Sequence, residues 1–260
     1  VRSKIAVSSR DSDVDPVGAC VGVKGSRVQA VVQELRGERI DIVPFDKDPA
    51  RFVCNAIAPA EISRVVINES DKAMELVVPD DKLSLAIGRK GQNVRLASQL
   101  TGWKLDIISD SKFKQIEEES VNALSLIAGV TPAIAQTMYK LGFRSLEEVA
   151  EAGAEELAGI PGLGGAENAD RIKAAAETAM EEQRQVRIRE ASQRTEPLTE
   201  RERMMFVRGV GEHTINLLEV AGVKTVEQLN STSEETLLRE TGLGLRKVRQ
   251  IKQGATAFVG

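Results

Sequence analysis

Gly22-Val23-Lys24-Gly25 recurs 66 positions later as Gly88-Arg89-Lys90-Gly91, each copy closing a short apolar segment and opening a longer amphipathic one. A Gly-x-x-Gly turn between two helices lets a nucleotide backbone approach where a Cβ would collide, and the next helix N-terminus directs free N–H groups at phosphate. That is the chemistry of a KH module, whose loop clamps about four nucleotides. Gly22, Gly25, Gly88 and Gly91 are assigned to close backbone approach, with Val23 and Ser26 completing the first loop. Lys24, Arg27, Arg89, Lys90 and Arg95 are assigned to phosphate, and Gln92 and Asn93 to base or sugar hydrogen bonds. GxxG also arises by chance in a chain with 21 glycines, and a plain pair of helix turns would carry it too. Repetition and the cationic filling favour RNA.

The elements around the loops repeat as well. Val28, Val31, Val32 and Leu35 follow the i, i+3, i+4, i+7 stripe of a core-facing helix; Gly37 ends it, and Glu38 to Val43 alternates as a strand. Val94, Ala97 and Leu100 predict the second helix, ended by Gly102 before a strand from Trp103 to Ile108. Ahead of the second loop, Leu83, Ala86 and Ile87 form a short helical face that Asp80 or Asp81 can cap. Arg64 to Ile67 and Met74 to Val78 read as strands, and Asp48-Pro49 opens a helix through Ile57. The order is helix, strand, strand, helix, GxxG, helix, strand. Only Lys4 to Val7 precedes the first loop segment as a strand, so Val1 is expected to lie inside a module of a longer protein.

The second half repeats at an offset of 80: Gly129-Val130 with Gly209-Val210, Glu147 with Glu227, Leu157 with Leu237, and Gly162-Leu163-Gly164 with Gly242-Leu243-Gly244. Leu141, Leu146 and Val149 mark a helical stripe, and the Gly-Leu-Gly turns resemble helix-hairpin-helix modules. The runs Glu147-Glu148, Glu155-Glu156 and Glu234-Glu235 read as solvated helix faces or N-terminal turns. Arg246, Lys247 and Arg249 leave a DNA contact open in the second repeat. Glu181 to Glu200, charged and weakly periodic, reads as a linker.

Composition bounds the rest. The chain is 42% hydrophobic and 28% charged, which is globular, but only 3% aromatic, so base stacking is not the main grip. Residues 1–114 hold 18 Lys+Arg against 16 Asp+Glu and residues 115–260 hold 17 against 23, so the halves suit different partners. No run approaches the roughly 18 to 20 apolar residues of a membrane span, and a cytoplasmic protein without membrane contact is expected. Cys20 and Cys54 read as small core residues, and with one histidine they make no four-ligand zinc site. Gly18 to Ser26 resembles a phosphate-binding P-loop, but runs Lys24-Gly25-Ser26 where Gly-Lys-Ser is required. His213 has no partner set and reads as a surface residue. No catalytic residues, metal or cofactor are expected.

The segment Ile87-Gly-Arg-Lys-Gly-Gln-Asn-Val-Arg-Leu-Ala-Ser-Gln-Leu-Thr-Gly-Trp103, with Asp48-Pro-Ala-Arg-Phe-Val upstream, resembles the second KH domain of the NusA family of bacterial transcription factors. Arg2-Ser-Lys-Ile-Ala-Val through Asp15-Pro-Val-Gly-Ala-Cys-Val-Gly-Val-Lys-Gly-Ser-Arg-Val is similar to the first, and the helical repeats to the acidic C-terminal repeats of some members. The resemblance implies polymerase-binding and S1 domains ahead of this segment. It implies single-stranded nascent RNA as ligand, RNA polymerase as partner, and modulation of pausing, termination and antitermination. For the repeats it implies, as partners, antitermination proteins, the protein's own KH region, or the C-terminal domain of the polymerase α-subunit. The expected fold class is α+β, two tandem type II KH domains followed by two all-α helix-hairpin-helix-like repeat domains. The expected divisions are a first KH domain at 1–60, a second at 61–114, acidic repeats at 115–180 and 199–260, and a linker at 181–198, in a monomer. The alternatives are an RNA-binding scaffold or other KH protein without a transcription role, and a helix-hairpin-helix nucleic-acid-processing protein.

Overall fold

The computed structural model describes residues 2–259, the Val259 side chain excepted, so the expectation about Val1 lies outside the described residues. The chain divides into two units, residues 1–116 and 117–260.

In the first unit, β1 (Arg2–Val7) and β2 (Arg39–Pro44) pair in parallel. Between them run α1 (Pro16–Val21) and α2 (Ser26–Glu34). Asp15 caps α1 by accepting from the Val17 N–H, with Pro16 in the first turn. Gly37, at φ +89°, closes α2 by donating its N–H to the Val32 carbonyl at 2.8 Å, a conformation that suits glycine. Asp41 on β2 accepts from Arg2 and Lys4 on β1. Burial pushes the Asp41 carboxyl up, and these two cations more than reverse it, so the net direction is down.

The chain continues through α3 (Pro49–Ile57), β3 (Arg64–Asn68), β4 (Ala73–Val78), α4 (Leu83–Ile87), α5 (Gln92–Thr101) and β5 (Lys104–Ser109). This is the order read from sequence. The sheet runs β3-β4-β5, antiparallel in its first pair and parallel in its second. Asp48 caps α3 by accepting from the Ala50 and Arg51 N–H groups, and Gly102 ends α5 in the left-handed conformation. The expected cap of α4 is absent. Asp80 and Asp81 instead open a single 3-10 turn, and the Asp80 carboxylate accepts from the Ser111 N–H and hydroxyl, which return beside it after β5.

One core joins these parts: Val43 of β2; Phe52, Val53, Ala56 and Ile57 of α3; Met74, Leu76 and Val78 of β4; Ala86 of α4; and Ala97 of α5. The alternation along β4 aims every second side chain into it. Through these contacts α3 completes the core beyond the expected 60/61 division. Cys20 is exposed and Cys54 half-buried, so neither is the core residue expected; α1 buries no residue at all.

Helix α6 (Asp110–Leu124) leads into the second unit, which is entirely helical. Its first repeat holds α7 (Pro132–Lys140), α8 (Leu146–Glu151), α9 (Ala154–Ala158) and α10 (Ala166–Ser192). The second holds α11 (Glu200–Met205), α12 (Glu212–Val220), α13 (Val226–Ser231), α14 (Glu234–Thr241) and α15 (Leu245–Val259). Equivalent buried positions obey the offset of 80, as Ile127 with Val207, Met138 with Leu218 and Leu157 with Leu237. Past the Gly-Leu-Gly turn the offset becomes 79, pairing Ala169 with Val248 and Ile172 with Ile251, because Gly164-Gly165 faces a single Gly244. Leu146 and Val149 are buried as expected, but Leu141 stays 57% exposed at the end of α7.

The segment expected as a linker is helical as far as Ser192. Its Glu, Gln, Arg and Ala residues are strong helix formers, and Arg184 pairs with Glu181 one turn back. Arg184 also donates to the Phe206 carbonyl beyond the break, at 2.9 Å.

Candidate nucleic-acid interface

The two GxxG loops share one backbone conformation. Gly22 and Gly88 both lie at φ +75° with ψ 176° and 170°, Lys24 and Lys90 at φ +50° and +52°, and Gly25 and Gly91 at φ +79° and +71°. Each loop is one 3-10 turn closed by an N–H···O bond of 3.1 Å, from Gly25 to Gly22 and from Gly91 to Gly88. The first glycine occupies a region that is nearly glycine-only, and the lysine accepts a left-handed conformation that β-carbon residues resist.

The glycines have different tasks. A Cβ on Gly88 would lie 2.9 Å from the Asn93 backbone nitrogen, and one on Gly22 would lie 3.0 Å from that of Arg27. These first glycines allow the two helices to meet. A Cβ on Gly91 would meet nothing within 4 Å, and one on Gly25 only Val28 at 3.9 Å. The second glycines therefore face open space, where a ligand backbone can approach.

The side chains divide in the same way. Val23, Lys24 and Ser26 are exposed in the first loop, and Arg89, Lys90 and Arg95 around the second, with Gln92 half-buried. Among the described residues no ion pair engages Lys24, Arg89, Lys90 or Arg95, whereas Arg2, Lys4 and Lys82 are all paired with aspartates. Arg27, though exposed, donates to the Ala19 carbonyl at 2.6 Å. Asn93, five residues after the first glycine as Arg27 is, donates its amide to the Ile57 and Ala86 carbonyls, each at 3.0 Å. Both side chains tie the loop's second helix to its first, so Asn93's amide is spent inside the protein.

In the second unit the Arg246, Lys247 and Arg249 cluster is met by carboxylates, from Glu177, from Glu147 and Glu151, and from Glu234 respectively. Glu147, read as part of a solvated acidic face, is only 3% exposed. Sequence reasoning missed it because its repeat partner Glu227 is a surface residue paired with Arg203; the available signal was Gly211 in place of the capping Thr131. His213 is exposed, as expected. Among the described residues no group of His, Cys, Asp or Glu side chains is arranged to hold a metal ion, and no helix is long and apolar enough to cross a membrane.

Comparison with known proteins follows this division. Residues 1–45 match the NusA-like first KH domain, 49–115 the NusA-like second KH domain, and 121–178 and 202–256 the SAM-like helix-hairpin-helix tandem. The transcription termination/antitermination protein NusA of Bacillus subtilis is 56% identical over 115 residues, 44% of this chain and 31% of that protein. Its counterpart in Halalkalibacterium halodurans is 55% identical over 115 residues, 44% of this chain and 30% of that protein. That of Rickettsia conorii is 44% identical over 169 residues, 62% of this chain and 34% of that protein. The chain thus spans about a third of the length of the curated relatives it matches.

Proposed function

We propose that this chain, which carries the paired KH domains of the NusA family followed by helix-hairpin-helix repeats, binds single-stranded nascent RNA along its two GxxG loops and modulates pausing, termination and antitermination beside RNA polymerase. One observation carries the reading: two turns with matching left-handed backbones each set an unpaired lysine beside a glycine that faces open space. Gly25 and Gly91 admit the RNA backbone, Lys24, Arg89, Lys90 and Arg95 neutralise phosphate, and Gln92 lies within the second loop to meet a base or sugar. Gly22 and Gly88 shape the turns, with Arg27 and Asn93 bracing them. Val23, 82% exposed, offers an apolar surface to a base.

The modules we propose keep the sequence reading for a second KH domain ending at residue 114 and for repeats at 115–180 and 199–260. The one change is that Pro49–Ile57 is grouped with the second KH domain, whose core it completes. The proposed partners of the repeats are antitermination proteins and the C-terminal domain of the RNA polymerase α-subunit.

Replacing Gly25 and Gly91 with Asp in the full chain puts carboxylates where phosphate must approach. Fluorescence anisotropy with a labelled single-stranded RNA should then show binding lost, with circular dichroism unchanged. Unchanged affinity in the folded double mutant overturns the two-loop grip. Crosslinking the chain to RNA in a transcription complex and mapping the crosslinked residues tests the wider role; crosslinks away from both loops would refute it.

A further inference from the structure

Helix α12 begins without a capping side chain of its own, because its N-cap residue is Gly211. The Glu147 carboxylate, from α8 of the other repeat, fills the place. It accepts from the N–H groups of Gly211, His213 and Thr214 at 3.3, 3.1 and 3.3 Å, from the Thr214 hydroxyl, and from Lys247 Nζ at 3.0 Å. Thr214 is fully buried and the Lys247 side chain is 11% exposed, with Glu151 accepting from the same ammonium at 2.6 Å. Three converging main-chain donors, a hydroxyl and a cation form a receptor for an oxyanion, and here the oxyanion is present.

The first repeat lacks the side chains that make this receptor. Its equivalent of Gly211 is Thr131, which caps its own helix by accepting from the Ile134 N–H. Its equivalent of Thr214 is Ile134, and in the register of the last helix Lys247 corresponds to Asn168. A Cβ on Gly211 would overlap the Glu147 carboxylate, so a threonine there, as in the first repeat, would displace that carboxylate. Three of the differences between the repeats, at Gly211, Thr214 and Lys247, therefore converge on one contact. Its ligand is directional too: Glu227, the equivalent of Glu147, pairs with Arg203 at the surface.

We propose that the Gly209-Val210-Gly211 turn of the second repeat is a carboxylate receptor, filled in cis by Glu147, which docks the repeats on each other and withholds that turn from phosphate. Arg184 on the Phe206 carbonyl and Arg246 on Glu177 are further contacts between the repeats. This docking is independent of whether the GxxG loops hold RNA.

Residual dipolar couplings on the isotope-labelled full chain test it. One alignment tensor is expected for both repeats in the wild type, and two in Glu147→Ala and in Thr214→Val. These variants lie in different repeats, and dispersed amide signals from both repeats confirm that each stays folded. Separate tensors in the wild type, or one tensor retained in both variants, would overturn the proposal. The exchange Glu147→Lys with Lys247→Glu separates a receptor from a plain ion pair, since the three N–H groups reject an ammonium. Two tensors are expected there, and a restored single tensor sinks the receptor assignment.

Discussion

Asn93, in the first turn of α5, donates its side-chain amide to the main-chain oxygen of Ile57, 36 residues earlier at the end of α3, at 3.0 Å. The same amide reaches the Ala86 carbonyl in α4, so one side chain joins three helices behind the second GxxG loop.

Asn93→Ala leaves two carbonyls without their donor, and a lost buried hydrogen-bond partner costs about 1–3 kcal/mol. Urea unfolding should show a lowered midpoint at unchanged slope. Asn93→Asp should be at least as damaging, since it sets a carboxylate against both oxygens. Arg27→Ala, at an exposed site, should cost less than about 1 kcal/mol.

The two glycines of the second loop should fail differently. Gly88→Ala forces a β-carbon into a glycine-only conformation, which alone costs about 1–3 kcal/mol, and against the Asn93 backbone as well. Gly91→Ala meets no atom and should cost about 1–2 kcal/mol for its left-handed φ. Thermal melts should rank Gly88→Ala as the less stable, while anisotropy below both melting transitions should show Gly91→Ala weakened in RNA affinity.

Salt should separate phosphate contacts from the rest. The logarithm of affinity should fall with the logarithm of salt by about 0.7 per neutralised phosphate, and Lys90→Ala should reduce that slope by about 0.7. A slope unchanged by Lys24→Ala, Arg89→Ala and Lys90→Ala together would remove these side chains from the phosphate path.

Acid should loosen the helical unit through Glu181. The hydrogen bond from Arg184 holds its carboxyl down at about 2, against burial, from an ordinary value of 4.5. A depressed folded value stabilises above the unfolded value, and the contribution disappears as pH falls from about 4.5 through about 2. Urea midpoints at pH 6 and pH 3 should therefore differ less in Glu181→Gln than in the wild type. An equal difference would mean the pair contributes nothing to acid sensitivity.

The sequence by itself determined what depends on near neighbours. Asp48-Pro49 starts a helix because its cap and fixed φ act within three residues; Gly37 and Gly102 end helices because only the local backbone matters; the GxxG repeat implied a repeated turn because left-handed conformations are set residue by residue. Tertiary structure decided what depends on distant chain. The spacing that aimed Asn93 at RNA held no trace of the Ile57 carbonyl, and Glu147 looked like Glu227 until the second repeat closed over one of them. Cys20 follows the same rule, whereas the helix through Ser192 is written locally, in its run of strong helix formers. Burial and the partners of a polar side chain are set by whichever segment packs alongside, and local sequence carries no record of that segment.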